Sequence, residues 1–522
     1  MPHTIALLET AGRVRDNLHG TIPFTEIERR LFDAPEFQRL RRIGQLAFVK
    51  YVFPGAQHSR FEHSLGTMHL AGTAYENLLR NQRKLLGSLQ GALSEVDQNI
   101  HGAFALREKT EGSILHTESV LSELERNAHV AQCLRLAALA HDLGHTPFSH
   151  SGEGFLPSWR QILAALPEMS LPPFLLASLT ERAERHGSET RGSTNPRPRH
   201  EIFTLLIAAR ILGRVELNDT DRIELIQDVC SIIDDAIPPA PRGAIATLGI
   251  QTLLHEIVSG EIDADRMDYL LRDSQQCGVI YGLFDRERLL DSTVFYRNGN
   301  GHCHLALRRS GLSAFEDFLR ARLSMYEQVY FHKTSTACQA MLEFAQQQAD
   351  AVSLPVDLDR YIAMDDASFL THFEQGTSAT RSQFAPATLR HLLLERRLWK
   401  RIYEENVPRA SAASMPSLCP TVLAILANEG VPCRLVEDKT TLTRFTPRGR
   451  GKRSENSLKV VAKDLHGLAH LAPIENHCAL INRLDEENVI RRIFIATTDE
   501  QGRPIDTAAV RRRIASLAPP AL

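Results

Sequence analysis

The sequence predicts a mainly α-helical protein with a smaller α+β region at its C-terminal end, and three observations carry that expectation. Apolar residues recur at three- and four-residue steps through the first 400 positions. After about residue 405 they alternate with polar ones in a strand-like way. Hydrophobic residues make up 43% of the 522, enough for a large buried core, which excludes disorder for most of the chain. Lys+Arg 60 against Asp+Glu 63 leaves a net charge of −3, so no global field draws the chain to nucleic acid.

Taken in order, Ile27, Leu31, Phe37, Leu40 and Ile43 mark the first helical faces. Residues 84–130, polar with scattered glycines, interrupt the pattern as an insertion. Leu134, Ala137, Ala138 and Leu139 resume it, before a second, loop-rich insertion at 167–199 that ends in Gly187, Gly192, Pro196 and Pro198. Residues 200–212 read as a helix through Phe203, Leu206 and Ile207, and another helical pattern covers about 386–404. Pro408, Pro416 and Pro420 then punctuate a Ser/Ala-rich run, with strand-like segments at 440–445, 457–462 and 489–496. The expected division is a catalytic region at 1–404 and an α+β region at 405–522 with a regulatory or oligomerisation role.

Eight cysteines lie far apart with no CxxC pair, which suits reduced thiols and argues against structural zinc held by cysteine. The longest apolar stretches, at 136–140 and 202–209, fall well short of the ~18 residues of a spanning helix, and the N-terminus carries no signal pattern. A cytoplasmic protein without membrane partners is the expectation.

Chemistry concentrates where His141-Asp142-Leu143-Gly144-His145-Thr146-Pro147-Phe148-Ser149-His150 breaks an apolar helix at an imidazole and a carboxylate. Imidazole nitrogen and carboxylate oxygen together suit first-row divalent metals such as Mn, Fe, Co, Ni or Zn. Two ligands are too few. His63, beside Arg60 at the start of a helical segment, offers a third, and Asp265 shares one helix face with Tyr269 and Asp273 at i, i+4 and i+8. Taken alone, that last run also reads as a solvated acidic face.

His63, His141-Asp142 and Asp265 resemble, in order and context, the H…HD…D signature of the HD-domain phosphohydrolases. Longer blocks extend the likeness: Phe37-Gln38-Arg39-Leu40-Arg41-Arg42-Ile43, Val52-Phe53-Pro54-Gly55-Ala56, Arg60-Phe61-Glu62-His63-Ser64-Leu65-Gly66, His141-Asp142-Leu143-Gly144-His145 and Asp265-Arg266-Met267-Asp268-Tyr269. They are similar to the deoxynucleoside triphosphate triphosphohydrolases, the dGTPase-like and SAM-and-HD-domain enzymes, over about residues 10–400. A bare HD dipeptide is a weak signal, whereas five ordered blocks are a strong one. The blocks begin almost at the N-terminus, so no SAM module is expected.

The resemblance implies an all-helical HD core and a divalent ion (Mn, Fe, Co, Ni, Zn or Mg) held by His63, His141, Asp142 and Asp265. Such an ion activates water and neutralises phosphate charge. It also implies attack at the α-phosphorus of a deoxynucleoside triphosphate, releasing deoxynucleoside and tripolyphosphate. Arg60, Arg266, Arg322, His332 and Lys333 would contact phosphates, with Arg322, Tyr326, Tyr330 and Lys333 spaced as one helix stripe. Tyr330 would stack near the sugar or base, and Tyr269 with Asp273 would read the 3′-hydroxyl. Gln45-Leu46 resembles a sugar-and-base contact pair, followed by Ala47-Phe48-Val49-Lys50 where some relatives are glycine-rich. His145, His150 and His200 are candidate proton carriers near the ordinary imidazole pKa of about 6.5, with Glu153 and Glu201 as orienters.

Asp33, Gln38 and Arg41 resemble an activator-nucleotide site between subunits, implying allosteric control and a homo-oligomer between dimer and hexamer. The segment 444–453 carries five positive and no negative charges; it would meet nucleotide phosphates or single-stranded nucleic acid, or stand as an exposed loop. Two other functions stay open: an HD-type metal nuclease or phosphodiesterase on single-stranded nucleic acid, and a nucleotide-binding regulatory protein with weak turnover.

Overall fold

The computed structural model describes residues 8–94, 112–188, 197–349, 352–377, 384–408, 417–439, 458–463, 468–478, 480–481 and 488–517. The chain opens with an antiparallel hairpin, β1 (Gly12–Asp16) and β2 (Gly20–Phe24). Helix α1 (Glu26–Asp33) starts at a capping box, in which Thr25 accepts from the Glu28 backbone and Glu28 accepts from the Thr25 N–H. The fully buried Glu28 carboxylate is also gripped at 2.7 Å on both oxygens by Arg135, which pins this corner to the core.

Helix α2 (Arg60–Ser94) has 35 residues, about 50 Å at 1.5 Å per residue, and runs through the body of the molecule. Its long buried face meets α3 (Ala128–Ala140), in which every residue from Val130 to Ala140 is buried. Helices α4 (Pro173–Ser188), α5 (Glu201–Leu212), α6 (Asp219–Ile233), α7 (Gln251–Ser259) and α8 (Ala264–Cys277) follow, with α6 against α3 and α8 against α2. Asn127 caps α3 and Asp263 caps α8 through side-chain oxygens that accept backbone N–H groups.

The second half alternates helix and strand: β3 (Thr293–Arg297), β4 (Cys303–Arg308), α9 (Leu312–Met325), α10 (Lys333–Gln348), α11 (Phe384–Arg390), β5 (Lys400–Pro408), α12 (Cys419–Asn428), β6 (Cys433–Lys439), β7 (Lys459–Lys463), β8 (Ala469–Pro473), β9 (Asn488–Ile495) and α13 (Thr507–Ala515). One sheet has the order β3-β4-β7-β8, with β7 parallel to β4; another is the antiparallel set β5-β9-β6. Residues after 458 therefore complete a sheet begun at 293. Beneath β5-β9-β6 lies a small core of Ile402, Val422, Leu426, Ile493, Ile495 and Ile514. The fold is mainly α with a C-terminal α+β region. No helix among the described residues is long and apolar enough to cross a membrane.

Several local expectations change. Residues 84–94 continue α2 and 118–124 form a helix, so helix reaches into the first insertion from one side and recurs near its other end. The second insertion contains α4, whose buried Leu175, Leu179 and Ala183 recur every four residues under a polar exterior. The pattern at 386–404 is helical only to Arg390; a π-turn at His391–Glu395 and Arg396, in the left-handed region at φ 53°, precede strand β5. Strand-like 440–445 and the basic segment 444–453 lie outside the described residues.

Candidate active site

The floor of the site forms where α2, α3 and α8 converge. His63 lies near the start of α2, His141 and Asp142 follow the last turn of α3, and Asp265 sits in the first turn of α8. Their donor atoms gather: His63 Nε2 is 2.9 Å from Asp265 Oδ1 and 3.6 Å from Asp142 Oδ2, and His141 Nε2 is 3.4 Å from Asp142 Oδ1 and 3.6 Å from Asp265 Oδ1. With metal–ligand bonds of roughly 2.0–2.2 Å, neighbouring donors on one ion stand about 3 Å apart; His63, His141 and Asp265 each offer an atom within 4.8 Å of the others, while Asp142 approaches the two rings through different oxygens and pairs through Oδ2 with Arg60.

The outward nitrogens of both rings are occupied. His63 Nδ1 lies 2.8 Å from Asp268 Oδ2, and His141 Nδ1 lies 2.7 Å from the Ala138 carbonyl. Each Nδ1 is thereby the donor, and in the neutral ring each Nε2 offers its lone pair inward, buried and without an aligned hydrogen-bond partner. Two such nitrogens facing two carboxylates fit a divalent cation. The carboxylates make the centre favour positive charge: burial alone would lower His63, but Asp265 and Asp268 hold it at about 10. Asp142 and Asp265 stay well below the ordinary carboxylate range against burial, Asp142 through Arg60 and His141, Asp265 through His141 and His63.

An outer shell fixes this floor. Asp268 accepts from Arg272 at 2.8 and 2.9 Å and meets His19 Nε2 at 2.6 Å; Arg272 also donates to Asp16 at 2.9 Å, so the N-terminal hairpin is tied to the ligand-bearing helices. Gly66 admits the approach, because a Cβ there would stand 1.9 Å from Asp268 Oδ1. Gly144 does the same between the ligand loop and α5, where a Cβ would fall 2.2 Å from the His200 carbonyl oxygen.

Above the floor opens a cavity of about 520 Å³, lined by Gln45, Leu46, Arg60, His145, His150, His200, Glu201, Arg266, Tyr269, Asp273 and Tyr330 together with His141, Asp142 and Asp265. Arg60 pairs with Asp142 and donates to Ser149 Oγ at 2.8 Å, while Arg266 holds the Gly260 carbonyl and Asp263. Tyr330 donates to Asp273 Oδ2 at 2.7 Å, and Asp273 Oδ1 meets His58 Nε2 at 2.7 Å. Gln45 Oε1 is buried in the wall with no hydrogen-bond partner. Phe48 stacks on Phe148 at 5.2 Å to form an apolar side.

Three histidines stand together on another wall. His145 stacks on His200 at 3.7 Å between ring centres, and His150 lies 4.7 Å from His145. Glu153 Oε1 meets the Nδ1 atoms of His200 at 2.6 Å and His150 at 3.0 Å, with Glu201 3.7 Å from His200. Burial pushes Glu153 up, but hydrogen bonds from both imidazoles outweigh it and keep the carboxylate ionised. Burial and the Arg60 charge push His145 well below the ordinary imidazole value, so this ring is neutral near pH 7.

Other residues fall elsewhere. The stripe 322–333 is broken by a π-turn at Tyr326–Tyr330 and by His332, which caps α10. Arg322 is buried with its guanidinium 5.6 Å from the Tyr326 ring, His332 packs edge-on to Phe53, and Lys333 is exposed; none of the three lines the cavity. Asp33 and Arg41 are exposed, Arg41 donating to Gln38 Oε1 at 2.8 Å and lying 3.5 Å over the Phe61 ring. Sequence reasoning assigned no role to His19, His58, Asp268, Arg272 or Asp366. Asp366 accepts from the backbones of Gly44 at 3.0 Å and Phe148 at 2.7 Å and so joins the two lining loops. One further signal is conformational: Ala47, Phe148 and Ser149, all lining the cavity, take positive φ of 45°, 60° and 55°, strained values for side-chain-bearing residues.

Comparison with known proteins places the chain among relatives. Residues 284–415 match the model of the HD associated region, a stretch beginning after Asp265. The deoxynucleoside triphosphate triphosphohydrolase SAMHD1 of Homo sapiens is 28% identical over 347 residues, 66% of this chain and 45% of that protein. An uncharacterised protein of Methanocaldococcus jannaschii is 28% identical over 332 residues, 64% of this chain and 48% of its own. The chain thus spans about half the length of the curated relatives it matches. In fold, the crystal structure of a hypothetical protein from Aquifex aeolicus aligns with a TM-score of 0.58 at 24% identity, over 96% of this chain and 99% of that one.

Proposed function

From a chain that belongs to the HD-domain family of deoxynucleoside triphosphate triphosphohydrolase-like proteins, we propose a metal-dependent enzyme that hydrolyses deoxynucleoside triphosphates to deoxynucleoside and tripolyphosphate. The observation that carries this reading is the pair of buried, inward-aimed Nε2 atoms of His63 and His141 facing Asp142 and Asp265 on the floor of a cavity sized for a small molecule. A divalent ion held there would supply Lewis acidity toward the α-phosphate and an acidified water.

This chain's own residues do the rest. Arg60 and Arg266 supply fixed positive charge to a triphosphate of about four negative charges, with guanidiniums already oriented by Ser149 and by the Gly260 carbonyl. The Tyr330–Asp273–His58 chain and the unpartnered Gln45 Oε1 offer hydrogen bonds to a sugar hydroxyl. Glu153 holds Nδ1–H of His150 and His200, which leaves Nε2 of each as the atom that gives or takes a proton during leaving-group departure. Phe48, Phe148 and Leu46 close an apolar wall that excludes water from the base and sugar.

The test is one assay of metal-loaded protein with each dNTP, each NTP and single-stranded DNA, set against Asp265→Ala. Tripolyphosphate and deoxynucleoside are expected from dNTPs, with turnover about a thousandfold lower or less in the variant, the several kcal/mol an ion contributes. Cleavage of DNA without dNTP turnover would replace this reading with the phosphodiesterase one. Absence of turnover on all three would leave a nucleotide-binding regulator.

A further inference from the structure

A second meeting of unlike donors lies away from the cavity, between α3 and α6. His129 and Cys133 are one turn apart on α3, and Asp228 faces them from α6. His129 Nε2 is 3.0 Å from Asp228 Oδ2 and 3.3 Å from Cys133 Sγ, and the three donor atoms all lie within 4.8 Å of one another. One ring nitrogen carries at most one proton, so it cannot donate to the carboxylate and accept from the thiol together. The other Asp228 oxygen is already taken by the Ala240 N–H at 2.9 Å. A proton on that nitrogen serves the carboxylate and leaves sulfur, a weak acceptor, as a poor second partner, whereas a shared cation engages all three donors at once.

The surroundings point the same way. Cys133 and Asp228 are fully buried, while His129 keeps 44% of its side chain exposed, which gives an entry path and a solvent-side position for a fourth ligand. Nitrogen, sulfur and oxygen spaced 3.0 and 3.3 Å from the shared atom fit the edges of a small tetrahedron, the geometry zinc and cobalt prefer. No residue is shared with the cavity floor, and His141 stands twelve positions farther along the chain, about 18 Å as helix.

We propose that His129, Cys133 and Asp228 form a second metal site, sulfur-containing and suited to zinc, that clamps α3 to α6. Its occupancy joins positions 133 and 228 across a long segment of chain and steadies the helix that ends in His141 and Asp142.

Sulfur makes the site separately readable, because the four ligands at the cavity floor include none. The full-length protein, stripped with chelator, is titrated with Co²⁺ and followed for thiolate-to-cobalt charge-transfer absorption in the near ultraviolet. Two equivalents of Co²⁺, enough to fill this site and the cavity floor, should develop the band; Zn²⁺ should bleach it and raise the melting temperature. Cys133→Ser should abolish the band. His129→Gln, at the surface and safe for folding, should abolish or weaken it at least tenfold in affinity while leaving phosphohydrolysis within about twofold. A wild-type protein with no band, or a band that persists unweakened in either variant, overturns the proposal; if Cys133→Ser does not fold, His129→Gln decides alone.

Discussion

Asp268 carries out at the scale of one side chain what the ligands cannot do for themselves: it sets which nitrogen of His63 bears the proton. Its own charge is balanced by Arg272 on the same helix, and the hairpin residue His19 meets its other oxygen. Near this hairpin His69 is a pH-sensitive residue of another kind. Burial, with the neighbouring His19 and Arg135 charges, pushes it down to about 4, so the folded state holds it neutral where the unfolded chain would already be protonated. Its contribution is present in full above about pH 6.5 and is lost as pH falls toward 4, roughly 3 kcal/mol in all. Urea midpoints should therefore fall less in His69→Gln than in the wild type over that window. Parallel curves would mean the ring titrates normally. The four residues of the cavity floor were legible in the sequence because two histidines and two aspartates came with short flanking blocks. The residues that orient them were not: Asp16 and His19 lie about 250 positions from Asp268, and only docking of the hairpin joins them.

Helices place the site by how closely they approach. The contact of α2 with α8 leaves no room for a methyl group at Gly66, since it would overlap Asp268 and the Arg272 guanidinium, 2.4 Å away. Gly66→Ala should cost about 1–3 kcal/mol by overpacking and lower metal content at limiting ion at least tenfold, because Asp268 must move. Thermal unfolding and elemental analysis measure the two effects. Unchanged metal retention would show that Asp268 does not set the ligand geometry. Periodicity found most of these helices, and it was present in 167–199 too, as Leu175, Leu179 and Ala183; the glycines and prolines that follow drew attention from it. Strand β5 had no comparable local signal, since its register comes from β9 almost ninety residues later. The π-turn at Tyr326–Tyr330 was equally hidden, because it inserts one extra residue per turn without any change of residue type.

Across the whole molecule the C-terminal strands reach back to the cavity. Arg492 on β9 pairs with Asp438 on β6 at 2.7 Å and donates to the Phe331 carbonyl at 2.8 Å, just before α10, where Phe331 and Ser335 line the pocket. Arg492→Ala leaves Asp438 buried without its counter-charge and should cost about 3 kcal/mol. It should also raise KM with metal content unchanged; steady-state kinetics beside elemental analysis separate the two. An unaltered KM would confine the C-terminal sheet to a structural part. The candidate ligands of the floor are themselves spread from position 63 to position 265. A ribosome delivers these in sequence, so the first three stand ready while the fourth is still unmade. On the proposed reading, metal capture at full strength waits until α8 has left the exit tunnel, and a product truncated before Asp265 carries an incomplete, weaker chelator.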